Sequence, residues 1–178
     1  MRNLFELYSK LDIDSSLICL EKPSEHNLPY FCYPENAKAI GFEGTIMYCF
    51  IEPYGDMVFA CNPESCTDSF VYPLAKTFED FLRLIITCGS ANPVEQVVWM
   101  SRDQFNEHLR NTKAIFTDRH TRLLAQLKSE LNLSPVNDPY GYVKEIQKNF
   151  DYSKIKYSEK YYEVTGYDGR TIVHNIPL

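Results

Sequence analysis

The groups in this chain that could do chemistry are its thiols, its imidazoles and a set of carboxylates near predicted strand ends. Cys61 and Cys66 bracket Pro63 in a C-x4-C spacing. A structural zinc site needs two more thiols or imidazoles at compatible spacing. Cys19, Cys32, Cys49 and Cys88 stand singly, and His26, His108, His120 and His174 are scattered, with no C-x2-C and no H-x3-H. The cysteines therefore read as buried or turn residues, and no metal is assigned. Glu43, Glu52, Asp56 and Glu64 cluster around the ends of a predicted hairpin. Two of them could meet at one sheet edge as a general acid and base. Turns also collect acidic residues because those positions are solvated, and that is the reading kept here. A Ser nucleophile elbow, a P-loop and a dinucleotide fingerprint are all missing. Gly41, Gly44 and Gly55 read as turn glycines. The sequence thus assigns no catalytic residue and no cofactor, and points to binding rather than catalysis. The alternatives are an enzyme built on Glu52, Asp56 or Cys61 beside the hairpin, or a scaffold role for the helical second half.

Aromatic residues are the stronger signal. The chain has thirteen Tyr and eleven Phe against one Trp. Tyr30, Tyr33, Tyr48, Tyr54 and Tyr72 flank or lie on the predicted sheet. Tyrosine favours interfaces because its body is apolar and its tip is wet. With Glu52 and Asp56 these five form the expected contact set for a protein partner, with partly buried sheet positions as the competing reading for each. A second set, Tyr152, Tyr157, Tyr161, Tyr162 and Tyr167, interleaves with Lys154, Lys156 and Lys160. Such a pattern can stack nucleic acid, but Asp151, Glu159 and Glu163 interrupt it. Net charge is −6 and the sequence pI is near 5.2. A phosphate-backbone binder would show clustered Lys and Arg instead. The acidity suits solubility or a basic protein partner, so direct nucleic-acid binding is not expected.

These residues must be held by elements that the hydrophobic pattern outlines. The 178 residues fit one domain, or one with an appendage. No apolar run reaches the roughly 18 residues of a membrane span, and the N-terminus lacks a signal-peptide apolar core. A cytoplasmic protein with reduced thiols is expected. Leu4, Leu7, Tyr8 and Leu11 predict a short helix over 3–11. Leu17–Leu20 and Tyr30–Tyr33 are expected as extended pieces between Pro23, Pro29 and Pro34. Residues 44–52 and 57–61, joined by Pro53-Tyr54-Gly55-Asp56, predict a hairpin apolar on both faces. Residues 69–72 add a third strand, suggesting an antiparallel meander.

The period then switches to helical. Thr77 is a good N-cap, Phe78, Phe81, Leu82, Ile85 and Ile86 form one stripe, and Gly89 fits the stop. The stretch 89–93 is the candidate boundary, and after Asn92-Pro93 the segment Val94–Met100 reads as a strand or a helix start. Ser101 to Gln104 is a capping box with Phe105 and Leu109 inward. A helix over 118–132 faces Leu123, Leu124, Leu127 and Leu131 inward. Asp138-Pro139 opens another, with Tyr142, Val143, Ile146 and Phe150. Tyr161–Val164 and Arg170–Val173 around Asp168-Gly169 suggest a hairpin or a loose tail. The fold class is α+β: an antiparallel sheet packed against a helix in 1–89, followed by a helical extension in 90–178.

The run Asp68-Ser69-Phe70-Val71-Tyr72-Pro73-Leu74-Ala75-Lys76-Thr77-Phe78-Glu79-Asp80-Phe81-Leu82-Arg83-Leu84-Ile85 resembles the end of a SUKH-superfamily domain. There a strand leads into a closing helix that opens on a small polar residue, Phe, two acids and Phe-Leu. Gly55-Asp56-Met57-Val58-Phe59-Ala60 is similar to that family's central strand. The likeness covers about residues 40–88. Leu28-Pro29-Tyr30 matches a Leu-Pro of the family, although no long helix precedes it and no Asn-Gly-Gly turn follows. The superfamily includes fungal glucan-synthesis regulators and many bacterial immunity proteins. The resemblance implies a non-enzymatic binding domain whose partner is a protein, in bacteria commonly a toxin and often a basic nuclease.

Overall fold

Alternation along four strands sets the architecture. The computed structural model describes residues 4–25 and 27–167. Its strands are β1 (Ala37–Glu43), β2 (Ile46–Ile51), β3 (Val58–Cys61) and β4 (Val71–Ala75), antiparallel and in the order β1-β2-β3-β4. Side chains alternate across a pleated strand. Tyr48, Ala60, Tyr72 and Leu74 therefore face one side, and Met47, Cys49, Ile51, Phe59, Cys61 and Val71 the other. Both faces are apolar and both are covered, which is why the strands read as near-continuous apolar runs.

Helices cover the first face. They are α1 (Leu4–Ser9), α2 (Phe78–Cys88), α3 (Ala91–Gln96), α4 (Arg102–Ala114), α5 (Asp118–Glu130) and α6 (Pro139–Asn149). The hydroxyl of Thr77 accepts from the Asp80 N–H at 3.1 Å, and Gly89, in the left-handed conformation, ends α2 by donating to the Ile85 carbonyl at 2.7 Å. One cluster of buried residues runs from Tyr48 and Phe81 to Val94, Phe105, Leu127 and Val143, across position 89. Ser101 and Gln104 make both bonds of a capping box at α4, and Asp138 caps α6 ahead of Pro139. These are the caps the sequence specifies.

The second face carries a different cover. After a short 3-10 turn at Tyr152–Lys154, whose Tyr152 still joins the first core, the segment 155–157, the turn at 30–33 and α7 (Glu159–Thr165) lie over it, with Cys32, Ile155, Tyr157 and Tyr161 buried against the strands.

Several expectations are corrected. Leu17 and Ile18 belong to a 3-10 turn (Ser15–Ile18), because the Asp14 carboxylate accepts from the Ser16 N–H and closes the chain locally. Tyr30–Tyr33 is a turn closed by the Tyr33 N–H on the Tyr30 carbonyl at 3.1 Å. Ala37–Glu43, not read as a strand in the sequence, is β1. Of the two readings of Val94–Met100, the helical one fits its first part: Val94–Gln96 lies in α3, with Pro93 in the first turn, where its missing N–H has no intrahelical role. Tyr161–Val164 is helical within α7. Arg170–Val173 lies outside the described residues. Among the described residues, no helix is long and apolar enough to cross a membrane.

Candidate functional site

The seven residues expected to form one contact surface fall into three places. Tyr48 and Tyr72 point into the first core and are fully buried. They present nothing to a partner, because their side of the sheet lies under helices. Glu52, Tyr54 and Asp56 occupy the β2–β3 turn. Glu52 and Asp56 are exposed, while the Tyr54 ring packs on Phe59 and Phe150 at 5.3 and 5.2 Å. Tyr30 and Tyr33 lie at the opposite end of the sheet, where the Tyr33 hydroxyl donates to the Thr45 carbonyl at 2.8 Å in the β1–β2 turn. Meander topology forces this split, since successive turns sit at opposite ends.

The groups weighed for chemistry separate in the same way. Cys61 lies at the end of β3 away from Asp56 and is buried, with its sulfur 3.5 Å from that of Cys49. Burial pushes the Cys61 thiol well above its ordinary value. Such a thiol is a poor nucleophile. Cys66 is exposed in the β3–β4 connection. Among the described residues, no group of three or more His, Cys, Asp or Glu is arranged to hold a metal ion.

Two carboxylates do come together, and one of them was not singled out from the sequence. Glu95, on α3, is only 2% exposed. Its Oε1 accepts from the Asn62 amide at 2.9 Å and from the Tyr72 hydroxyl. Glu43, at the end of β1, accepts from the Tyr48 hydroxyl at 3.1 Å and from the Asn92 amide at 2.9 Å. Among the described residues neither carboxylate forms an ion pair. Burial raises the affinity of both for a proton, and the phenol and amide donors only partly offset it. This network fastens α3 across the strand ends. The available signal for Glu95 was one acid inside the apolar run Pro93-Val94-Glu95-Gln96-Val97-Val98.

The remaining candidate is the cover on the second sheet face. Phe31 packs edge-on against Phe70 at 5.3 Å and stacks on Tyr161 at 6.4 Å, and Tyr157 stacks on Tyr161 at 3.9 Å. The Glu35 N–H donates to the Lys156 carbonyl at 2.9 Å, and Pro34 bridges to Tyr157. The turn at 30–35 and the segment at 156–162 are thereby joined into one surface. Its outer side chains include Tyr30 and Tyr162, which the sequence pattern had placed in two separate tyrosine sets.

No family model, no curated protein and no solved structure matches this chain.

Proposed function

We propose that this chain is a SUKH-like protein-binding module that works without catalysis, and that it acts as an immunity protein by holding a basic toxin. One observation carries the reading most. The residues that carry the resemblance, Asp68–Ile85, form β4 running directly into a Thr77-capped α2, at the end of an antiparallel meander. The acidic balance of the chain favours a cationic protein over an anionic one. Glu52 and Asp56 stand at the other end of β3 from the buried Cys61, an arrangement that lends the enzyme alternative on those groups no support.

The test is affinity capture with the full chain from its native host, followed by reconstitution with the purified partner. A stoichiometric complex with a basic protein whose activity falls on binding is expected. Failure to recover any stoichiometric partner overturns the reading.

A further inference from the structure

Large apolar side chains exposed to solvent are few here, and they are not scattered. Among the described residues they are Leu28, Tyr30, Trp99, Ile115, Tyr162, Val164 and Tyr167. Five of these lie on two segments that touch, the loop at 27–35 and α7 with the residues that end it. Leu28 is 74% exposed and Tyr30 41%. Tyr30 leans on Tyr33 at 5.6 Å, and Tyr162 stands edge-on to Tyr161 at 5.3 Å. Both exposed rings therefore ride on the same packed aromatic layer. Side chains fixed from beneath lose little further freedom when a partner covers them.

Charge around this layer is one-sided. Glu35, Glu64, Asp68, Glu159 and Glu163 are exposed on it or on the 62–70 connection, whose Phe70 packs on Phe31. Only Lys156 and Lys160 oppose them, and within this set the one ion pair is Lys160 with Glu163 at 3.7 Å. An apolar, tyrosine-bearing patch with an acidic rim has a definite complement. Arginine and lysine satisfy the rim, and guanidinium planes stack on tyrosine faces. A second copy of this chain brings the same negative rim, and anionic lipid and nucleic acid are repelled alike.

We infer that the face formed by the 27–35 loop and α7, centred on Leu28, Tyr30 and Tyr162, is the docking surface for an arginine- or lysine-rich protein segment that also carries apolar side chains. The inference rests on the protein-binding reading and supplies its surface.

The test uses the full chain and two labelled synthetic peptides, one of Arg, Leu and Gly, the other with Glu replacing Arg. The variant is Leu28→Ser, Tyr30→Ser, Tyr162→Ser together, with Ile115→Ser as an exposed control elsewhere. All the substituted side chains are exposed, so thermal melting should match the unmodified chain. The basic peptide should bind, the acidic one should not, and added salt should weaken the complex. The triple variant should lose affinity by about tenfold or more, as expected for removal of aromatic anchors. Ile115→Ser should lose none. Equal affinity for the triple variant, or for the acidic peptide, overturns the inference. So does a dimer in light scattering that the triple variant abolishes, since the occupant would then be a second copy. A captured partner that binds the triple variant unchanged removes this surface and leaves the module reading intact. Basic-peptide binding here without any captured partner supports the surface and removes the module reading.

Discussion

Asn62, just beyond β3, donates its side-chain amide to Glu95 on α3 across 2.9 Å. A helix of six residues is thereby tied to the sheet by a carboxylate that has no cation beside it. Tyr72 adds a second donor to the same oxygen. Hydrogen bonds to a buried acid are worth keeping whole, because a lone donor left in the core loses water without replacement.

This arrangement makes stability depend on pH in a stated direction. Burial raises the folded pKa of Glu95 above the ordinary 4.5, and burial raises that of Glu43 too. The folded chain then binds more protons than the unfolded chain between those values. Its stability is greatest near and below the unfolded pKa, falls as pH rises from there, and levels off above the folded pKa. Glu95→Gln keeps the acceptor and should flatten this part of the profile in urea unfolding between mildly acidic and neutral pH. Glu95→Ala strands Tyr72 and Asn62 and should cost about 2–4 kcal/mol. A Glu95→Gln profile as steep as that of the unmodified chain would count against the assignment.

Gly89 is the second sensitive position. Its φ of 98° lies in the left-handed region, and an added Cβ would collide with the Phe116 ring. That ring stacks on His120 at 3.9 Å, and His120 Nε2 lies 2.7 Å from the Gly89 carbonyl oxygen. Gly89→Ala should destabilise by roughly 2 kcal/mol or more, combining backbone strain with displaced packing. An unchanged melting temperature would contradict this.

Thiol reactivity should sort the cysteines by burial. Cys66 is exposed, Cys19 is half-buried, and Cys32, Cys49, Cys61 and Cys88 are buried. Burial pushes Cys19 and Cys32 up to about 11 and Cys88 to about 12. A thiolate-specific reagent at pH 8 should give one fast phase, abolished by Cys66→Ser, with the other thiols released only on unfolding. A fast phase that survives Cys66→Ser would show that another thiol opens readily.

What the sequence disclosed follows from where its signals are local. Caps are local, so Thr77, Ser101, Asp138 and Gly89 announced their helices. The apolar two-faced strands 46–51 and 58–61 announced a sheet covered on both sides. Ala37–Glu43 stayed hidden because Ala37-Lys38-Ala39 and Gly41 carry little β preference; pairing with β2 makes it a strand, with a register shift between Ala39 and Gly41. The helix α7 was hidden by Tyr and Val, which favour strands in isolation; here Tyr161 is held by packing on Phe31 and Phe70. The expected contact set split because composition does not tell which end of a meander a turn occupies. Tyr30 and Tyr162 share a face through contacts between distant parts of the chain, the Phe31–Tyr161 stack and the Glu35–Lys156 hydrogen bond among them.

The most direct test of the proposed protein-binding, toxin-neutralising role is co-expression with each reading frame that adjoins this gene in its host and is toxic when expressed alone. The account predicts restored growth and a co-purifying complex, both weakened by the combined Leu28→Ser, Tyr30→Ser, Tyr162→Ser substitution. Continued toxicity with no complex, from a chain that melts as a folded protein, would contradict it.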